Sequence, residues 1–140
     1  MPTTPTLAPQ LIERLLEAAR AAQARAHAPY SRFRVGAAVL DEQGRIHAGC
    51  NVENAAYPLG SCAEALAIAT MVREGGREVR ALLVLGDGEA LVTPCGGCRQ
   101  RLREFAAPET PVLVADREKV RARFTLEQLL PASFGPENLA

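Results

Sequence analysis

Val79–Leu85 reads VRALLVL, apolar at every position but Arg80. A short apolar run of this kind suits a strand buried inside a sheet, not the alternating face of a surface hairpin. Pro111–Ala115 (PVLVA) repeats the signal more briefly. A sheet with such strands needs helices over it, and the chain supplies helical periods on either side. Leu7, Leu11, Ile12, Leu15 and Leu16 form one stripe, predicting a helix over 6–26 that ends before Pro29. Cys62–Arg73 has helical period and stops at Gly75 and Gly76. A further helix is expected from about Cys95, after Pro94, to Phe105. Phe33–Leu40 and Arg45–Asn51, joined at Asp41–Gly44, predict a hairpin. Val120–Phe124 is a weaker fifth strand, and Thr125–Leu130 a short helix closed by Pro131. This order of elements describes a mixed sheet with helices packed on its faces. Its 140 residues suit one domain over 1–140, with residues 1–6 expected to be disordered.

Charge narrows the function classes. Sixteen basic side chains balance sixteen acidic ones. A polynucleotide partner normally requires a basic stripe, because neutralising phosphates supplies much of the affinity. None is visible, so no nucleic-acid partner is expected. Arg99, Arg101 and Arg103 are the densest basic stretch, and their helical spacing predicts mostly a solvated helix face. No signal-peptide plan opens the chain, and no apolar run approaches the roughly 18 residues that span a bilayer. The expectation is a soluble, cytoplasmic protein without a membrane partner. In a reducing compartment four cysteines favour metal binding over disulfides.

Three of those cysteines lie in two short segments, Cys62-Ala63-Glu64 and Pro94-Cys95-Gly96-Gly97-Cys98. Each segment opens a predicted helix, where the positive end of the helix dipole stabilises a thiolate. Three thiolates and a water would form a tetrahedral site with one open position, the catalytic pattern for zinc. Glu64, two residues after Cys62, can sit beside the metal without ligating it and move protons. Together the segments match the pattern of zinc-dependent deaminases, three sulfurs plus a non-ligand Glu. A closed structural site with Cys50 as fourth ligand is the competing reading, although a buried free thiol suits Cys50 at a strand end better. His27 and His47 fall outside both helix starts and read as packing or surface residues.

The sequence resembles the small homotetrameric cytidine deaminases from about Leu7 to Leu139. The likeness is carried by Ala28-Pro29-Tyr30-Ser31-Arg32-Phe33, Val35-Gly36-Ala37-Ala38, Gly49 through Tyr57, Cys62-Ala63-Glu64, Pro94 through Gln100, and Glu127 through Pro131 with Ser133-Phe134-Gly135-Pro136. It implies a three-layer α/β/α fold with a mixed five-stranded sheet, one zinc ion per chain on Cys62, Cys95 and Cys98, and Glu64 as the catalytic proton shuttle. It also implies zinc-dependent conversion of cytidine and deoxycytidine to uridine and deoxyuridine in pyrimidine salvage. Asn51 and Glu53 would hold the ribose 3′ hydroxyl, Phe33 would stack on the base, and Ala63 would touch the substrate. Tyr57 and Phe134 would complete sites across the boundaries of a homotetramer.

The family commonly carries Arg directly after the catalytic Glu, where this chain has Ala65. Arg99, after Cys98, is a possible partner for the thiolates, but related sequences have it as well, so it cannot simply replace the missing one. Three other functions remain open at this point: a deaminase of a modified cytosine nucleoside such as a peptidyl-nucleoside antibiotic, an editing enzyme on RNA or single-stranded DNA, and a non-catalytic zinc module.

Overall fold

A computed structural model describes residues 7–140. The expected disorder of residues 1–6, and the start of the first helix at Thr6, lie outside the described residues. Helix α1 spans Pro9–Gln23, with Pro9 at its first turn, where a missing N–H costs nothing. Strands β1 (Val35–Asp41) and β2 (Ile46–Cys50) form the hairpin. A 3₁₀ turn at Tyr57–Leu59 leads to α2 (Ala63–Arg73). Then come β3 (Val79–Gly86), α3 (Gly96–Phe105), β4 (Pro111–Ala115), β5 (Val120–Thr125) and α4 (Leu126–Leu129), with a final 3₁₀ turn at Pro136–Asn138.

The sheet order is β2-β1-β3-β4-β5. Only β3 and β4 run parallel, as the α3 crossover between them requires; the other neighbours are antiparallel. Side chains alternate across the pleat, so each inner strand feeds two cores. Ala38, Leu40, Ala81, Leu83, Leu85, Leu113 and Ala115 pack with Leu15, Leu16 and Ala19 of α1. Ala37, Val39, Val79, Leu82 and Val112 pack on the other face with Ala63, Ala67, Ile68 and Met71 of α2, Leu102 of α3 and Leu126 of α4. This is the expected three-layer α/β/α arrangement, with the predicted buried run at its centre. The edge strand β5 alternates half-buried positions with exposed Arg121 and Arg123, charges that discourage pairing with another edge. Thr125 and Gln128 close a capping box at the start of α4: the Gln128 N–H donates to Thr125 Oγ1 (3.1 Å) and the Thr125 N–H to Gln128 Oε1 (2.8 Å).

His47 follows its expected packing role, buried with Nε2 2.8 Å from Asp41 Oδ2. Asp41 also accepts from the N–H groups of Gln43 and Arg45 and from Arg45 Nε. Burial would raise its pKa, but the bonds from His47, Arg45 and Gln43 outweigh that and hold the carboxyl far below the ordinary range.

Candidate active site and metal centre

Helices α2 and α3 begin side by side, each with a cysteine at its N-cap: Cys62 for α2 and Cys95 for α3. Ser, Thr, Asp or Asn would normally stand there to satisfy the free N–H groups of the first turn. Here sulfur occupies both positions, and Cys98, one turn into α3, brings a third. The sulfurs of Cys62, Cys95 and Cys98 all lie within 4.8 Å of one another, with Cys62 and Cys95 3.9 Å apart. Sulfurs at the corners of a tetrahedron, about 2.3 Å from a central zinc, would be roughly 3.8 Å apart. The cluster therefore has the size, donor type and ligand number of an open zinc site, and Zn²⁺ fits it. Cys50 stands outside it, at the end of β2, as a half-buried thiol; it is less buried than the strand-end position suggested because β2 is an edge strand.

Burial and neighbouring groups move the three thiols in different directions. Burial pushes Cys98, only 1 % exposed, well above the ordinary thiol range, and the nearby Glu64 charge adds to the rise. Burial also raises Cys62. At Cys95 burial works in the same direction, but the Cys98 N–H and the neighbouring thiols reverse it, and its pKa falls. Glu64 lies in the first turn of α2 and is 5 % exposed. Burial raises its pKa, against its own backbone N–H and the positive charge of Arg101. A carboxyl so placed holds a proton more readily than a surface glutamate does.

A cleft opens over this cluster. Cys62, Ala63, Glu64 and Cys95 line its base; Asn51, Val52, Glu53, Tyr57, Gly60 and Ser61 form one wall, and Val35, Val92 and Thr93 another. Asn51 and Glu53 thus face the same cleft, as their spacing on an extended segment implies. Both also pin the loop before β1. Asn51 Nδ2 donates to the Phe33 carbonyl and the Val35 N–H donates to Asn51 Oδ1, each at 2.8 Å. Glu53 Oε1 accepts from the N–H groups of Tyr30 (2.9 Å) and Ser31 (3.1 Å), and Oε2 from the Ser31 hydroxyl.

The remaining aromatic candidates sit at the margins. Tyr57, 74 % exposed, lines the cleft wall with its ring centroid 5.8 Å from that of Tyr30. Phe33 is 38 % exposed and is not among the cleft-lining residues; its ring edge lies over Gly86, next to Val92, which is. Phe134, 58 % exposed, is held by its carbonyl, which accepts from Gln100 Nε2 (2.9 Å), and does not face this chain's own cleft.

Two of the α3 arginines, Arg99 and Arg103, are anchors; Arg101 stays on an exposed face, as the spacing suggested. Arg99 donates to the Pro94 carbonyl (2.7 Å), the Leu129 carbonyl (2.8 Å) and Thr93 Oγ1 (3.2 Å), leaving it no bond to a thiolate. Arg103 binds Ser133 Oγ (2.9 Å) and Glu137. Arg101 is the one that approaches the sulfurs, with Nη1 3.9 Å from Cys98 Sγ. Its position three residues after Cys98 was a usable signal, since such pairs share a helix face.

Residues 9–114 match the model of the family described as "Cytidine and deoxycytidylate deaminase zinc-binding region". A cytidine deaminase from Sporosarcina psychrophila is 41 % identical over 129 residues, covering 92 % of this chain and 95 % of its own. One from Mycobacterium tuberculosis (strain H37Rv) is 43 % identical over 118 residues, 84 % of this chain and 85 % of that one. The crystal structure of cytidine deaminase from Burkholderia pseudomallei superposes with a TM-score of 0.80 at 40 % identity, covering 87 % of this chain and 98 % of the other. With its cluster of three thiols fitted to one zinc ion, the chain belongs to the zinc-dependent cytidine deaminase family of hydrolases.

Proposed function

We propose that this protein hydrolyses cytidine and deoxycytidine to uridine and deoxyuridine with release of ammonia, and that it serves pyrimidine salvage in the cytoplasm. The observation that carries this reading is Glu64, buried at the base of a cleft beside three converging thiols. Cys62, Cys95 and Cys98 would hold zinc, which would supply a Lewis acid that lets water act as a nucleophile near neutral pH. Glu64 takes a proton from the attacking water and delivers it to N3 of the pyrimidine, which makes C4 electrophilic. The water oxygen bonds to C4, and Glu64 carries the second proton to the exocyclic nitrogen, which departs as ammonia. One nucleoside and one water give one uracil nucleoside and one ammonia.

Hydrogen-bond accounting supports a sugar hydroxyl between Asn51 and Glu53. An amide has two N–H donors, and Asn51 spends one on the Phe33 carbonyl. A carboxylate offers about four acceptor sites, of which the Tyr30, Ser31 backbone and Ser31 hydroxyl bonds take three. One N–H of Asn51 and one acceptor site of Glu53 remain, beside the second lone pair of Asn51 Oδ1, and the first two are the complement of a single hydroxyl. In this reading that hydroxyl is the ribose 3′ group, Ala63 contacts the base, and Phe33 stacks on it. Tyr57 and Phe134 complete the sites of neighbouring subunits in a homotetramer. The apolar surface left bare around the cleft by Tyr30, Val52, Tyr57 and Leu59 supports that assembly.

The test is loss of cytidine absorbance with stoichiometric ammonia, run beside deoxycytidine, base- and sugar-modified cytosine nucleosides, and a cytosine-containing oligonucleotide. Turnover confined to a modified nucleoside or to the oligonucleotide would overturn the substrate assignment. Sedimentation of the active protein as a monomer would overturn the tetramer.

A further inference from the structure

Three deprotonated thiols on a divalent zinc leave a net charge of about −1, since each ligand sheds its proton to bind. The site is partly buried, so that excess has to be met by fixed charge nearby. The N-termini of α2 and α3 supply part of it, but a helix end is worth only about half a charge. Among the described residues one guanidinium reaches the cluster, that of Arg101, with Nη1 3.9 Å from Cys98 Sγ.

Two features of the surroundings suit this contact. A Cβ on Gly97 would lie 3.1 Å from Arg101 Nη1, so the guanidinium passes over bare backbone there. Across a shallow groove, Ala65 of α2 presents only a methyl group, which leaves the space to a side chain coming from α3. Arg101 is not drawn away by an acid: no carboxylate lies within ion-pair distance of it among the described residues, although Glu104 lines the same groove. Arg99, the nearer arginine in sequence, is turned to Pro94, Thr93 and Leu129 through all three of its nitrogens.

We propose that Arg101 is the counter-charge of the thiolate cluster, a positioning residue that donates an N–H to Cys98 Sγ and strengthens the hold on zinc. The proposal rests on the reading of Cys62, Cys95 and Cys98 as zinc ligands.

The experiment is competition for zinc between the full-length, zinc-loaded protein and a chromophoric chelator. Arg101→Met keeps the length and loses the charge; it should bind zinc roughly 10–100-fold more weakly, the usual effect of removing a partner that orients a ligand. Arg101→Lys, a point charge without the planar fork, should recover part of the loss. Gly97→Ala should weaken zinc binding by crowding the guanidinium. Ala65→Arg placed on top of Arg101→Met should restore it from the facing helix. Arg73→Met removes an arginine of the same groove that pairs with Glu74, and it should leave zinc affinity at the wild-type value. Equal affinities for wild type and Arg101→Met would overturn the proposal, as would an equal loss in Arg73→Met. A wild-type protein that binds no zinc would instead overturn the ligand assignment beneath it.

Discussion

Replacing Gly49 by alanine should damage stability and catalysis together. Gly49 lies in β2, directly beneath α2. A Cβ there would sit 2.4 Å from Ala67 N, 2.6 Å from the Ala63 carbonyl oxygen and 2.8 Å from Leu66 C. Ordinary contact begins near 3.4 Å, so relief requires a separation of 3.4 − 2.4, about 1.0 Å. All three neighbours are backbone atoms, and no rotamer change can absorb the clash. The helix must lift from the sheet. Overpacking of this kind costs about 1–3 kcal/mol, and a rigid backbone neighbour places the cost at the upper end. With a urea slope of about 1–3 kcal/mol per molar, the midpoint should fall by on the order of 1 M.

Cys62 caps the displaced helix and Glu64 rides on its first turn, while Cys95 caps α3 and Cys98 lies within it. A misplacement of about 1 Å can cost about 100-fold in rate. The assays are urea unfolding, zinc content and cytidine turnover on one preparation. Gly96→Ala is the contrasting variant for stability, because its Cβ would meet nothing within 4 Å. It should be neutral or stabilising by up to about 1 kcal/mol through the unfolded chain. A Gly49→Ala protein with the wild-type midpoint and wild-type turnover would refute the claim that β2 fixes the height of α2.

Glu64→Gln should keep fold and zinc while turnover falls by at least about 10²–10⁴-fold, because the amide cannot carry protons; near-normal turnover would remove Glu64 from the mechanism. Cys50→Ser should keep both zinc and activity, and loss of zinc on metal analysis would favour a closed four-sulfur site. Asp41→Asn should destabilise the protein by on the order of 2–3 kcal/mol, since it strips the charge from a buried acceptor of several bonds. The folded-state pKa of Asp41 lies below its ordinary 3.8, so its contribution is fully present above that pH and is lost as the pH falls from there through the lower folded value. The wild-type advantage over Asp41→Asn in urea should hold between pH 5 and 8, a range about a unit or more above the ordinary carboxyl value, and shrink below it; an undiminished advantage at pH 3 would contradict the assignment.

The sequence was most readable where a single physical preference decides the outcome. Val79–Leu85 could satisfy its apolar side chains only inside the sheet, and its place between helices on both faces follows from that. The two cysteine segments were readable because a helix start and a metal ligand are the same residue at Cys62 and again at Cys95. The structure gives that coincidence a reason: neither helix has a side-chain oxygen as its cap, so the free N–H groups and dipole ends of α2 and α3 both turn toward sulfur. Folding the two helices side by side against one face of the sheet therefore assembles the metal site without a dedicated loop.

What stayed hidden depends on partners far along the chain. Asn51 and Glu53 could be placed in one cleft from their spacing, but their bonds to the loop at 30–35 depend on a meeting with residues about 16–23 positions away. The α3 arginines looked alike because helical period reports only which face a residue occupies. It cannot report that the carbonyl of Leu129 arrives to meet Arg99, that Ser133 and Glu137 arrive to meet Arg103, and that among the described residues the hydrogen-bond partner of Arg101 is the Cys98 sulfur. Three equal charges on one helix acquire three different tasks from what packs against them. The cation left over is the one standing where the thiolates need it.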